Sequence, residues 1–83
     1  MNAIILTRGQ DAAAQELKCI NYARLKGYKV IAVIENIKDL DDFQDQVDVI
    51  VVSNVSRVSR SYQKYLLICE MLEEFNVTIE VAE

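Results

Sequence analysis

The order of apolar runs predicts an α/β domain of three layers, built on a mostly parallel four-stranded sheet with strand order 2-1-3-4. Three observations carry this reading. Short β-prone apolar runs alternate with helical patterns along the chain. One of them, "VDVIVV" at 47–52, is apolar on both faces, as a central parallel strand must be. Gly27 and Asn76 stand where helices would stop, because each can take the left-handed conformation that ends a helix. Strands that alternate with helices imply a parallel sheet joined by right-handed crossovers.

Each element follows from its residues. "NAIILT" at 2–7 is a strand closed by the turn signal "RGQD". Asp11 can cap a helix to about Lys26, with Ala13, Leu17, Ile20 and either Leu25 or Ala23 facing inward. "KVIAVIEN" at 29–36 is the second strand, and "DLDDFQDQ" at 39–46 can make only a short helix held by Leu40 and Phe43. The third strand, 47–52, is followed by a helix from Ser61 to Phe75, capped by Ser59 or Ser61. Tyr62, Leu66, Cys69 and Leu72 form the expected core side of that helix. "VTIEVA" at 77–82 alternates Val77, Ile79 and Val81 against Thr78 and Glu80, the pattern of an edge strand with one open face. No linker, repeat or low-complexity segment interrupts this βαβαβαβ order, so residues 1–83 read as one domain near the lower size limit for a self-sufficient core.

Composition narrows the function classes. Hydrophobic residues make up 52% of the chain, too many for a disordered acidic tail. The net charge of −4 and the pI of about 4.7 are opposite to the basic footprint of a free-standing DNA-binding domain. Any contact with a DNA backbone is therefore expected to be local and weak. No apolar run approaches the roughly 18 residues that span a bilayer, and the N-terminus lacks a signal-peptide pattern, so no membrane association and a cytoplasmic location are expected. Cys19 and Cys69 read as two reduced core thiols, and with no histidine in the chain neither a metal site nor a cofactor is expected.

The chemistry-bearing stretch is "SNVSRVSRS", 53–61. In a flavodoxin-like order, ligands bind at the carboxyl ends of the strands where the chain direction switches, between the first and third strands. That topology sets Arg8, Gly9 and Gln10 opposite Ser53 through Arg60. Arg57 and Arg60 flank the start of a helix whose free N–H groups favour an anion, and Arg8 adds a third planar donor suited to phosphate. Solvation, or pairing with the many carboxylates, would account for the same arginines without a ligand. Thr7, Ser53, Ser56, Ser59 and Ser61 are within range as hydroxyls, but no histidine or placed lysine can act as their base. Capping and turn roles suit them.

"AIILTRGQ", a helix ending "NYARLKGYKVIAVIEN", then "VDVIVVSNVSRVSRS" and "LLICEMLEEFNVTI" together resemble, in order, the start of the serine recombinases: the resolvases and DNA invertases. The resemblance spans nearly the whole chain and implies a resolvase-like fold, an origin in a mobile element or phage, and DNA recombination as the ancestral activity. In that family a serine attacks a DNA phosphodiester while arginines hold the phosphate. Carried over by position, the resemblance makes Arg8, Arg57 and Arg60 the phosphate-binding arginines and matches Gln15 to a glutamine common on the first helix. It also exposes a degenerate site. Gln10 stands at the nucleophile's place and Ser56 at that of the loop aspartate, and the segment between the second and third strands is short and lacks its usual arginine. The sequence stops at Glu83, before the family's last strand, long dimerisation helix and DNA-binding domain.

Two functions are therefore expected in competition. In the first, the domain is a catalytically inactive, regulatory or accessory protein-binding module that still holds a phosphate or DNA-backbone site. Its contact surface would be Leu67, Met71 and Phe75, spaced i, i+4, i+8 at positions where recombinase relatives tend to carry charge. The partner would be a second copy or another protein, and a stripe covered within its own protomer is the competing explanation. In the second, the chain is the N-terminal part of a DNA site-specific recombinase.

Overall fold

The apolar stretch "VIVV" ends up in the middle of the sheet because none of its side chains carries a polar atom. In the computed structural model, which describes residues 1–43 and 45–82, its strand β3 (Val49–Val52) is completely buried. Beside it lies β1 (Asn2–Leu6), whose Ala3, Ile4 and Ile5 are equally inaccessible. The outer positions go to β2 (Lys29–Ile34) and β4 (Thr78–Val81), giving the order β2-β1-β3-β4 with every pairing parallel.

Side chains alternate between two cores. Ala3, Ile5, Val49 and Val51 face helix α1 (Ala12–Lys26), while Ile4, Leu6, Ile50 and Val52 face helix α2 (Tyr62–Glu73) and a 3-10 segment, Ile37–Phe43. The register of β2 slips between Ala3 and Ile4, so Val30 and Ala32 pair with consecutive residues of β1. This bulge lets Val30 serve the α1 core and Ile31 and Ala32 the other. Helix ends follow the residues that predict them: Gly27 is left-handed at φ 76° and its N–H reaches back to the carbonyls of Ala23 and Arg24, and Asn76 is left-handed at φ 59°.

The helix faces differ from expectation. Of the residues expected inward on α1, Ala23 is buried and Ile20 is half-buried against the core, whereas Ala13 is exposed and Leu17 and Leu25 are 62% and 87% exposed; Gln15 and Cys19 are buried in their place. A line of small residues lets α1 sit close over β1 and β3, and a polar Gln15 is tolerated there because its amide is fully used (below). On α2, Tyr62 and Leu66 are exposed, and Tyr65, Ile68 and Leu72 take the inner side. Asp11 precedes α1 without capping it through its side chain, whereas Ser61 caps α2 by accepting from the Lys64 N–H. The predicted 39–46 helix becomes 3-10 over Ile37–Phe43; Gln44, within the predicted range, lies outside the described residues. Cys19 and Cys69 are both free, and they sit on elements packed against opposite faces of the sheet.

The α1 side of the edge strand is closed by hydrogen bonds. Tyr22 on α1 and Tyr28, just before β2, both donate to the carboxylate of Glu80 on β4, at 2.6 and 2.7 Å. The Glu80 hydrogen bond and negative charge raise the Tyr28 phenol above its ordinary value, and burial raises the Cys19 thiol. A raised folded-state value stabilises the protein below the unfolded value and is lost as pH rises through the folded one. Stability is therefore expected to decline above about pH 9–10, less steeply for Tyr28→Phe than for wild type. Urea midpoints measured across that range check this.

Candidate anion site

The reversal of strand order between β1 and β3 places the loops that leave them side by side. The first, Thr7–Asp11, carries Arg8 and Gly9. The second begins with a short 3-10 turn, Val55–Arg57, that the sequence pattern did not reveal. Asn54 builds this turn: its side chain accepts from the Ser56 N–H at 3.0 Å and from the Ser56 hydroxyl. Arg57 thus closes a 3-10 turn rather than opening α2, and Arg60 follows before the Ser61 cap.

Arg8, Gly9, Ser56, Arg57 and Arg60 line one open cavity of about 520 Å³. Arg8 and Arg60 are exposed and Arg57 is half-buried. The Arg57 Nη1 donates to the carbonyl oxygen of Arg8 at 3.2 Å, which brings the two loops into contact. Its Nε is buried and has no hydrogen-bond partner, as is the hydroxyl of Ser53. Gly9 lies beside this contact. It is left-handed at φ 90°, and a Cβ there would sit 3.5 Å from Arg57 Nη1, so backbone strain rather than a clash restricts the position. A smaller adjoining cleft is shared by Arg8, Arg57 and Glu35.

The first loop is held by Gln15. Its side-chain oxygen accepts from the Arg8 N–H at 2.9 Å and its amide donates to the Arg8 carbonyl at 2.7 Å, with the residue only 4% exposed. Composition offers no sign of this clamp; the family resemblance alone marks Gln15. Gln10 is exposed on the loop, one residue beyond Gly9. The hydroxyl of Ser56 is engaged by the carboxamide of Asn54, which cannot serve as a base. The site brings three arginines and Ser56 to one cavity, and the Ser56 hydroxyl is bonded there to a carboxamide. Leu67, Met71 and Phe75 lie elsewhere, on the exposed side of α2, at 61%, 60% and 52% exposure.

The architecture is that of the resolvases. The N-terminal catalytic domain of TP901-1 integrase matches 99% of this chain and 77% of its own, with a TM-score of 0.84 and 16% identity. A resolvase family site-specific recombinase from Streptococcus pneumoniae matches 99% of this chain and 72% of its own, with a TM-score of 0.85 and 15% identity. At such identities the likeness is one of fold. No protein-family model and no curated protein sequence matches the chain.

Gln15→Leu keeps the volume but strands the Arg8 N–H, so it should cost about 2 kcal/mol of stability. The same variant should loosen the arginine loop and weaken any anion response. Denaturant unfolding, and thermal midpoints with and without phosphate, measure the two effects separately.

Proposed function

We propose that this chain is a catalytically inactive serine-recombinase-like domain that works as a regulatory or accessory protein-binding module and keeps an anion site at Arg8, Arg57 and Arg60. The observation that carries the first half is Gln10. A carboxamide is neither a nucleophile nor a leaving group, and removing a nucleophile that acts within a catalytic unit costs hydrolases about a million-fold in turnover. The second half is supported by the arginine cavity itself. Planar donors from two loops meet there, and Arg57 retains a buried, unpartnered Nε. The ligand would be a phosphate group, with a DNA backbone as a weak, local source of it. The partner would bind through Leu67, Met71 and Phe75 as a second copy or another protein, in the cytoplasm, where the free thiols of Cys19 and Cys69 stay reduced. Among the described residues no helix is long and apolar enough to cross a membrane.

The second reading, the N-terminal part of an active DNA recombinase, is favoured by the fold likeness to a catalytic domain and by Ser56, a hydroxyl-bearing residue that lines the arginine cavity. The two separate cleanly. Under the first, incubation with supercoiled DNA yields neither nicks nor a covalent protein–DNA adduct, and Gln10→Ser alone does not restore cleavage. Nicking that disappears with Arg57→Ala establishes the second.

The anion site is tested by stabilisation. Phosphate or sulfate at a hundredfold excess over its dissociation constant should add about 2.7 kcal/mol. The gain should shrink as sodium chloride is raised, and vanish in the Arg57→Ala, Arg60→Ala double variant. Midpoints that ignore phosphate in both proteins leave the arginines without a ligand.

A further inference from the structure

The arginine cavity carries more positive charge than one link of a DNA backbone can balance. Arg8, Arg57 and Arg60 line it together with Gly9 and Ser56, and no carboxylate is among these residues. Glu35 meets Arg8 and Arg57 only in the smaller adjoining cleft. Three guanidiniums set against that one carboxylate leave a local charge of +2. An internal phosphodiester brings a single negative charge. A phosphate held by one ester bond brings about −1.5 to −2 near neutral pH. Only the second balances the site.

The oxygens point the same way. A guanidinium is a planar fork that takes two acceptor oxygens side by side. A diester has two oxygens free of ester bonds, and these make one edge for one fork. A terminal phosphate has three free oxygens, which make three edges. On a diester, three arginines would compete for one edge or turn to the weaker ester oxygens. Arg57 is anchored through Nη1 to the Arg8 carbonyl, whereas Arg8 and Arg60 are exposed and can close on a ligand. The volume of about 520 Å³ falls among the roughly 300–1,000 Å³ clefts that take small molecules, so the alcohol part of an ester has room.

We propose that the cavity selects a terminal phosphate, a phosphomonoester with three free oxygens, over an internal phosphodiester. This rests on the reading of Arg8, Arg57 and Arg60 as an anion site and names the class of anion. Such a group comes from a small phosphomonoester or from the phosphorylated end of a nucleic-acid strand.

Methyl phosphate and dimethyl phosphate differ by one ester bond, and NMR of the labelled protein at constant ionic strength compares their binding. Methyl phosphate should bind about tenfold tighter or more, the worth of one further charge-assisted contact, with amide shifts at Gly9, Ser56 and Arg57. Arg60→Ala should bring that preference close to unity and leave the circular dichroism unchanged, because Arg60 is exposed. Lowering the pH from about 7.5 to about 5.5 returns the second proton to the monoester, so its affinity should fall while that of dimethyl phosphate does not. The chain has no histidine to titrate in that window, and protonation of Glu35 would strengthen both anions.

A short oligonucleotide separates the sources. Binding tighter than methyl phosphate with a 5′-phosphate, and none with a 5′-hydroxyl, makes the ligand a strand end. A 5′-phosphorylated strand that binds no better than methyl phosphate makes it a small phosphomonoester. Equal affinities for the two methyl esters, a preference unchanged in Arg60→Ala, or equal binding of the two oligonucleotides overturns the proposal and leaves the anion site standing. If none of these ligands binds, the anion reading falls with it.

Discussion

One carbonyl oxygen, that of Arg8, ties the arginine loops together. It accepts from the Gln15 amide at 2.7 Å and from Arg57 Nη1 at 3.2 Å, so α1, the loop after β1 and the turn after β3 meet at one atom. The Gln15 bonds are shielded from water, where an unmade partner would cost more than the bond gains. Arg57 is consequently not a freely rotating surface cation. Part of the entropy normally lost when an arginine closes on an anion is lost already on folding, which is the sense in which the site is preorganised.

That atom sits where it does because of the sheet beneath it. β1 and β3 are adjacent although β2 lies between them in sequence, and both are buried on both faces. Each buried valine, leucine or isoleucine contributes on the order of 1.5–3 kcal/mol, and the two central strands hold many of these side chains. The edges are managed differently. β2 absorbs a bulge, and β4 presents Glu80, which two phenols from the other side of the chain hold in place. A carboxylate on the face of an edge strand also disfavours unplanned strand addition.

Much of this was legible because it depends on local chemistry. The strands, the doubly apolar β3 and the left-handed stops at Gly27 and Asn76 were all legible in short stretches of sequence. Topology alone carried Arg8 towards Arg57. The faces of the helices were not legible. α1 has apolar residues on every side, so Leu17 and Leu25 look as inward as Cys19 and Ala23, and what decides is how closely the helix must approach the sheet. Periodicity counts Gln15 and Glu80 as surface, because each is buried or half-buried through its hydrogen bonds, Gln15 to the Arg8 backbone and Glu80 to two tyrosines far away in sequence; the family resemblance alone marks Gln15. The 3-10 turn at Val55–Arg57 is too short to have a period, and its signal was the asparagine before it.

Charge is distributed along the strand axis in a way that composition conceals. The arginine cavity lies past the carboxyl ends of β1 and β3. An apolar cleft between α2 and the 3-10 segment is lined by Val47 and Val77, which precede the amino ends of β3 and β4, and its charged lining residues are Lys38 and Asp41. A net charge of −4 therefore conceals a local gathering of three arginines, and the acidic pI describes only the surface as a whole. Beyond a Debye length of about 8 Å at physiological salt, exposed charges at the two ends are largely screened from one another. Between them stands a sheet with no second packing arrangement apparent, so the physical ingredients of allosteric coupling, two states biased by both ligands, are not in view. Gln10 makes none of the hydrogen bonds that join Gln15, Arg8 and Arg57, so the arrangement of the two arginine loops does not depend on the residue at that position.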